Sequence, residues 1–441
     1  MAASRTPPAR FVALQALQQT LQQGNDLQFA LDFQLRRLHV SGKDANLATE
    51  LCYGYLRNKG RVAFCLEHFL QKPGKLPPLC RTAFELATYE TLFLERIPEF
   101  ATRSWLANLV RQQWGSGLTR LATAYMTNIF KNKAALNASE FYQKNASDAR
   151  AFLSAFYSLP LWIVDLWTEA YGPETAQRLA AAQIHPAPLG LRINPLHAGK
   201  DELVRQYVAL EAESADLEIL DSLSVSCSRE TARRLFPELS ADIKAGAISR
   251  QSLESQRILK ELGAGSWGEP IWDVCAGRGG KTCYLLERGQ KQVRASDPNP
   301  FRVHGLSREL ERLGLPPIPV VVARGDVRLP WQKKPATILL DVPCSGLGVL
   351  SRKSDIKWKR TPKDIPPLIA LQDQLLRQSA EVLRPGGRIV YITCTLNPAE
   401  NQARIDHFLG EHPGFSITKR YETQINDSAR EFFWGVVLEK G

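Results

Sequence analysis

Pro270-Ile-Trp-Asp-Val-Cys-Ala-Gly-Arg-Gly-Gly-Lys-Thr282 passes from a short apolar run into a glycine cluster and then into a helical pattern. Gly277, Gly279 and Gly280 fall within four positions, so the backbone can turn tightly and a ligand can approach it without meeting a Cβ. The helix that opens there leaves its first N–H groups available to an anionic or carboxylate-bearing cofactor. The spacing matches neither G-x-G-x-x-G nor G-x-x-x-x-G-K-S/T, the two common phosphate loops.

The pattern around this loop alternates. Apolar runs at Pro270–Cys275, Val293–Ser296, Ile318–Ala323, Thr337–Val342 and Arg388–Cys394 are separated by helical stretches such as Thr282–Arg288, Phe301–Leu313 and Ile369–Leu383. That order predicts an α/β domain with a mostly parallel, doubly wound sheet covered on both faces, and Glu431–Glu439 reads as a last strand. In such a sheet the reactive crevice lies outside the carboxyl ends of the strands. Asp297 ends the second run, where a carboxylate accepts the ribose hydroxyls of a nucleoside cofactor, and Asp326 is expected at the end of the third, facing an adenine amino group. The fourth and fifth runs end in Asp341-Val-Pro-Cys-Ser345 and Tyr391-Ile-Thr-Cys-Thr395. Together they aim two thiols, Cys344 and Cys394, and one carboxylate at a single cleft, a set suited to pyrimidine chemistry.

Upstream the chain reads differently. Leucines at helical spacing from Phe11 to Leu38, and helical patterns at Ala45–Arg57, Arg61–Leu70, Pro78–Leu94, Ala101–Trp114 and Leu118–Lys131, predict an all-helical domain over residues 1–138. The polar stretch Asn137–Asp148 reads as a connector. Helices at Pro160–Tyr171, Glu174–Ala182 and Lys200–Leu210, with strands at Leu189–Asn194, Leu217–Leu220 and Ala247–Ser249, make residues 139–245 a linker and small α+β insert before an α/β domain over 246–441.

With 56 Lys and Arg against 45 Asp and Glu, the 441-residue chain carries a net charge of +11, which favours a polyanion such as nucleic acid as partner. The eight cysteines, Cys52, Cys65, Cys80, Cys227, Cys275, Cys283, Cys344 and Cys394, are scattered without metal spacing, so no metal and mostly unbridged thiols are expected. The start, Met1-Ala-Ala-Ser-Arg-Thr-Pro-Pro8, lacks the apolar core of a signal peptide, and a cytoplasmic monomer without a membrane partner is expected. Lys357, Trp358 and Arg360, with Arg352 and Lys353, form a basic stretch with one aromatic, suited to the phosphates and a splayed base of RNA. Arg57, Arg61, Arg81, Arg96 and Arg103 are expected to add an RNA-binding face on the helical domain.

These motifs carry a resemblance. The segment from about residue 246 onward resembles the S-adenosylmethionine-dependent RNA cytosine-5 methyltransferases: Asp273–Thr282 is similar to D-x-C-A-A-P-G-G-K-T, Asp341–Ser345 to D-x-P-C-S and Tyr391–Thr395 to Y-x-T-C-S. Ser354-Asp-Ile-Lys-Trp358 resembles P-D-I-K-W, and Asn397-Pro-Ala-Glu-Asn401 resembles P-x-E-N. Tyr53-Gly-Tyr-Leu-Arg57 and Tyr89–Pro98 resemble the NusB-like helical RNA-binding domain, and Leu191-Arg-Ile-Asn194 the connecting region, an order similar to the RsmB (Sun/Fmu) family that methylates a cytosine of 16S ribosomal RNA. The chain departs from the pattern at Gly277-Arg278 (for Ala-Pro), Ser252 (for Asp), Ser354 (for Pro) and Arg430-Glu431 (for Asp-Gly).

The resemblance implies a Rossmann-like S-adenosylmethionine-dependent methyltransferase domain and a set of roles. Cytosine C5 is a weak nucleophile until a thiolate adds at C6, and the RNA branch makes Cys394 that nucleophile, Cys344 the thiol that assists product release and Asp341 the group at cytosine N3. The DNA enzymes use the Pro-Cys cysteine instead, which leaves Cys344 as a rival nucleophile. Cofactor contacts are expected from Cys275, Ala276, Gly277, Arg278, Gly279, Gly280, Lys281, Asp297, Asp326 and Asp341. Two other readings are the same chemistry on transfer RNA, and a non-catalytic RNA-binding assembly factor disabled by the Gly277-Arg278 change.

Overall fold

The computed structural model of the chain describes residues 7–209, 216–327, 333–426 and 428–441. Most of the start Met1–Pro8 and Leu210, the expected end of a helix, lie outside the described residues. The chain forms two compact units, Met1–His185 with Leu350–Pro362 and Pro186–Val349 with Lys363–Gly441. These units part near His185, inside the segment 139–245 that the sequence sets apart as an insert, and the excursion Leu350–Pro362 joins the helical unit.

The first unit is helical. Pro8–Gln23, Leu27–Arg37, Pro78–Phe93, Glu99–Trp114 and Ser116–Lys131 bury Leu17, Leu31, Phe84, Leu106 and Ile129 in one core. Two expectations fail here. The helices predicted at Ala45–Arg57 and Arg61–Leu70 are one 28-residue helix, Gly42–Phe69, because the break read at Asn58-Lys59-Gly60 is overruled by packing: the Gly60 N–H donates to Ser158 Oγ at 2.7 Å. The polar connector Asn137–Asp148 is mostly helix, Lys133–Asn137 and Ser139–Asn145, held by Tyr142, which is fully buried against Phe64 and donates to the Leu136 carbonyl. One buried aromatic outweighs its polar neighbours.

The second unit carries two sheets. Strands β1 (Leu189–Ile193), β2 (Glu218–Asp221), β3 (Ser224–Cys227) and β4 (Ile248–Arg250) form an antiparallel sheet in the order β2-β3-β1-β4, over a core of Leu191, Val225, Leu235 and Ile248. Strands β5 (Ile271–Asp273), β6 (Val293–Asp297), β7 (Val320–Val322), β8 (Thr337–Asp341), β9 (Arg388–Thr393), β10 (Phe415–Glu422) and β11 (Trp434–Lys440) form a seven-stranded sheet in the order β10-β11-β9-β8-β5-β6-β7. The first five are parallel, and β11 and β10 close one edge antiparallel.

Side chains alternate across a strand, and between the edge strands β7 and β10 both faces of the sheet are buried. Leu339, Val390, Ile392 and Val437 pack on one face against Ile258, Leu306 and Leu310, while Ile338, Leu340, Ile389, Tyr391 and Leu438 pack on the other against Leu375, Leu376, Ile405 and Phe408. Neighbours β6 and β8 flank β5 on opposite sides, so the strand order reverses at β5 and the crevice opens at Asp273. Among the described residues no single helix is long and apolar enough to cross a membrane.

Candidate active site

The glycine loop leaves β5 at the switch point. Gly277 and Gly279 adopt φ of +58° and +87°, and a Cβ at Gly277 or Gly280 would meet nothing within 4 Å, so the loop and the first turn of the helix Gly280–Glu287 border open space. Asp297, at the end of β6, is buried with Oδ2 accepting from Gly277 N–H at 3.0 Å and Oδ1 from Asn299 N–H at 2.9 Å. Each carboxylate oxygen has a second lone pair for a ligand hydroxyl. Asp326 does not end its strand: β7 stops at Val322, and Asp326 lies in the following turn, its carboxylate held by the Arg324 guanidinium and lowered chiefly by that hydrogen bond. Open space over the loop, unused helix-start amides and the Asp297 acceptor fit a nucleoside that carries a carboxylate.

Asp273 ends β5 fully buried, with Oδ2 accepting from Thr282 Oγ1 at 2.6 Å and Oδ1 without a partner. Burial pushes its carboxyl up to about 7, against the hydrogen bond from Thr282. A carboxyl raised in the folded state keeps a proton that the unfolded chain sheds between about pH 4 and 7. Its stabilising share is therefore complete below that window and is lost across it, by roughly 4 kcal/mol at 1.4 kcal/mol per unit. Asp273→Asn, which keeps the Thr282 contact without the titration, is expected to raise the melting temperature more at pH 8 than at pH 5. Thermal unfolding at both values checks this, and equal shifts would refute it.

At the ends of β8 and β9 the two thiols meet. Cys344 Sγ and Cys394 Sγ are 3.5 Å apart, both partly exposed. Asp341 ends β8, and its Oδ2 accepts from Lys281 Nζ at 2.6 Å. Lys281, expected among the cofactor contacts, thus reaches the carboxylate beside the thiols. Burial lowers its amine, but Asp341 more than offsets this and the amine ends above its ordinary value. The hydrogen bond to Cys394 and burial push the Cys344 thiol well above its ordinary range, as expected when two thiols share one small space.

Beneath the thiols lies a hub that the residue reading left without a role. Glu400, fully buried in the turn Pro398–Glu400, accepts from Ser345 N–H at 2.8 Å, Ser345 Oγ, Gln372 Nε2 at 3.1 Å and Asn397 Nδ2 at 3.1 Å. Ser345 follows Cys344, and its hydroxyl also meets Thr395, which follows Cys394, at 2.6 Å. Asn401 completes the clamp, donating to Thr395 O and accepting from Thr393 Oγ1. Gly348 is pinned between the Cys394 and Phe432 backbones, where a Cβ would lie 2.2 Å from Phe432 O. The only sequence signal for this hub is the Pro-x-Glu-Asn pattern itself.

The expected RNA contacts fare unevenly. Lys357 is fully buried in the helical unit and donates to Arg57 O at 2.8 Å; burial, then Arg57 and Lys59, lower its amine well below the ordinary value. The reading of Lys357 as a phosphate contact is corrected: it anchors the excursion, as does Trp358, which donates to Leu56 O at 2.6 Å. Arg360 and Arg352 are half-buried and Lys353 is exposed. Of the helical-domain arginines, Arg61 sits among Phe93, Tyr142 and Phe156, Arg81 pairs with Glu67 and Glu85, Arg103 covers Phe130, Arg57 is buried and Arg96 is exposed. Most are used internally.

A Rossmann-like sheet of this order, a glycine loop after its first strand and acids at the strand ends define the S-adenosylmethionine-dependent methyltransferase fold. The chain belongs to the RsmB/F family of 16S rRNA methyltransferases. The family model "16S rRNA methyltransferase RsmB/F" matches residues 264–433, "NusB family" matches 7–131, and an RsmF/B-like ferredoxin-like domain matches 159–221. The chain is 32% identical to the probable ribosomal RNA small subunit methyltransferase B of Synechocystis sp., over 87% of this chain and 84% of that one. It is likewise 32% identical to the ribosomal RNA small subunit methyltransferase B of Vibrio cholerae, over 92% and 89%. Its fold is similar to the crystal structure of PH0851 (TM-score 0.75, 19% identity, 98% of this chain and 99% of that one) and to a methyltransferase homolog from Pyrococcus horikoshii (TM-score 0.52, 24% identity, 67% and 100%).

Proposed function

We propose that the chain transfers a methyl group from S-adenosylmethionine to C5 of a cytosine in 16S rRNA through a transient bond between a cysteine sulfur and C6. The observation that carries this reading is the pair of sulfurs 3.5 Å apart at the ends of adjacent parallel strands, beside the Asp341 carboxylate. Segments 1–138 and 139–245 are assigned to RNA binding and 246–441 to catalysis.

S-adenosylmethionine, when bound, supplies a sulfonium methyl group. The Cys275–Gly280 loop would hold it, with Asp297 on the ribose hydroxyls and Asp326 toward the adenine. The Cys394 thiolate adds to C6, and the electron pair displaced from the C5–C6 double bond makes C5 nucleophilic. Lys281 occupies Asp341 Oδ2, which leaves Oδ1 to accept a hydrogen bond from N3 as N3 takes up a proton from solvent and so neutralises the charge that develops as sulfur adds. Once C5 carries the methyl group, its proton passes to solvent, the C5–H electron pair restores the C5–C6 double bond, and the C6–S bond breaks to release the Cys394 thiolate. Cys344, with its sulfur 3.5 Å from that of Cys394, assists that release. Arg278, which replaces a family proline, leans outward onto Gly305 and leaves the loop backbone clear.

The test is methyl transfer by the full chain, with bisulfite sequencing of 16S rRNA and transfer RNA incubated in parallel. A new C5-methylated cytosine in 16S rRNA is expected. Label at another atom would overturn the chemistry, and modification of transfer RNA alone would overturn the acceptor.

A further inference from the structure

The helix Pro300–Arg312 follows Asp297 and packs on the sheet through Leu306 and Leu310. Its outer side is unusual for a surface helix. Phe301 is 84% exposed, the largest value among the exposed large hydrophobic side chains, and Arg308 is exposed nearly two turns further on. Between them sits Gly305. Positions 301, 305 and 308 share one helix face.

Gly305 is covered by a residue from the cofactor loop. A Cβ at Gly305 would lie 3.4 Å from Arg278 Cγ and 3.8 Å from Cδ, so the Arg278 stem lies across the bare backbone and its guanidinium extends into solvent. The stripe therefore reads Phe301, Arg278, Arg308. Neither Arg278 nor Arg308 makes an ion pair among the described residues. Arg302, beside the stripe, keeps 58% of its side chain exposed at 3.7 Å from Asp297. Of the helix's acids, Glu309 is tied to Arg312, which leaves Glu311.

An exposed aromatic flanked by unpaired guanidiniums matches single-stranded RNA, whose bases stack on rings while its phosphates take cations. We propose that Phe301, Arg278 and Arg308 form a contact strip for single-stranded RNA flanking the target nucleotide, starting with Phe301 and Arg278 at the carboxyl end of the sheet, the end that also carries Cys344 and Cys394, and running outward along the helix to Arg308. The Arg278 departure and the bare Gly305 are then complementary parts of one surface. This rests on the RNA methyltransferase reading and adds the residues that hold the strand outside the base pocket.

The probe is an RNA oligonucleotide spanning the cytosine that bisulfite sequencing identifies, bound by the full chain across a salt series. Phe301→Ala is expected to weaken binding roughly tenfold, the range of one lost base–aromatic stack. Arg308→Ala should flatten the slope of log affinity against log salt by about 0.7, and adding Arg278→Ala by about the same again, as for one phosphate contact each. S-adenosylmethionine affinity of Phe301→Ala and Arg308→Ala, read by calorimetry, should match the parent and reports that each is folded. Folded variants with parental RNA affinity and salt slope would overturn the strip. A parent that neither binds nor methylates RNA would instead overturn the functional reading beneath it.

Discussion

Cys394→Ala is expected to abolish methyl transfer, by at least about 10³-fold, while S-adenosylmethionine affinity stays near the parental value, because the sulfur acts in covalent attack and not in holding the cofactor. The geometry alone does not separate the two thiols. They lie 3.5 Å apart and either sulfur could reach one base. The assignment rests instead on the resemblance of Tyr391–Thr395 to the Y-x-T-C-S motif of the RNA enzymes, in which the Thr-Cys cysteine attacks and the Pro-Cys cysteine, here Cys344, assists release. Cys344→Ala should then form the covalent enzyme–RNA adduct and release it poorly, giving a band stable on a denaturing gel. Adduct from Cys394→Ala and none from Cys344→Ala would reverse the two roles and leave the reaction class standing.

Glu400→Gln is expected to lower methyl transfer by about 10²-fold without touching any reacting atom, the scale of a misplacement near 1 Å in a catalytic group. The carboxylate collects five donors from three segments, and through Ser345 and Thr395 it sets the spacing of the residues next to both thiols. Glutamine keeps the shape but turns one acceptor into a donor that faces other donors. Glu400→Ala goes further and leaves buried donors unpaired, a loss of roughly 3–5 kcal/mol in stability by analogy with a broken buried charge network. Adduct yield on the gel, with calorimetry for the cofactor, distinguishes positioning from unfolding. Parental turnover by Glu400→Gln would sink the idea.

Four of the five parallel strands, all but the edge strand β7, owe their legibility in the sequence to the burial of both faces. Each becomes a short, nearly unbroken apolar run, and its end is marked by the first polar residue that meets the crevice: Asp273, Asp297 and Asp341 all end strands. Cys344 and Cys394 could be assigned to one cleft for the same reason, since strand ends and crevice coincide. The edge strand β10 was not legible. Ser416, Lys419 and Arg420 face solvent, and with one side wet the strand carries too few apolar residues to stand out.

What only the tertiary structure decided concerns polar groups whose partners are far along the chain. Lys357 reads as a solvated cation beside an aromatic, yet it is enclosed with its ammonium on a carbonyl 300 residues away. Glu400 reads as one acid in a polar stretch, and its donors at Ser345 and Gln372 come from 55 and 28 residues earlier. Tyr142 turns a polar connector into a packed helix by filling a gap beside Phe64. Local pattern reports which face of a segment avoids water, so it recovers apolar cores. A buried polar group is stable only through a partner, and that partner is chosen by the fold.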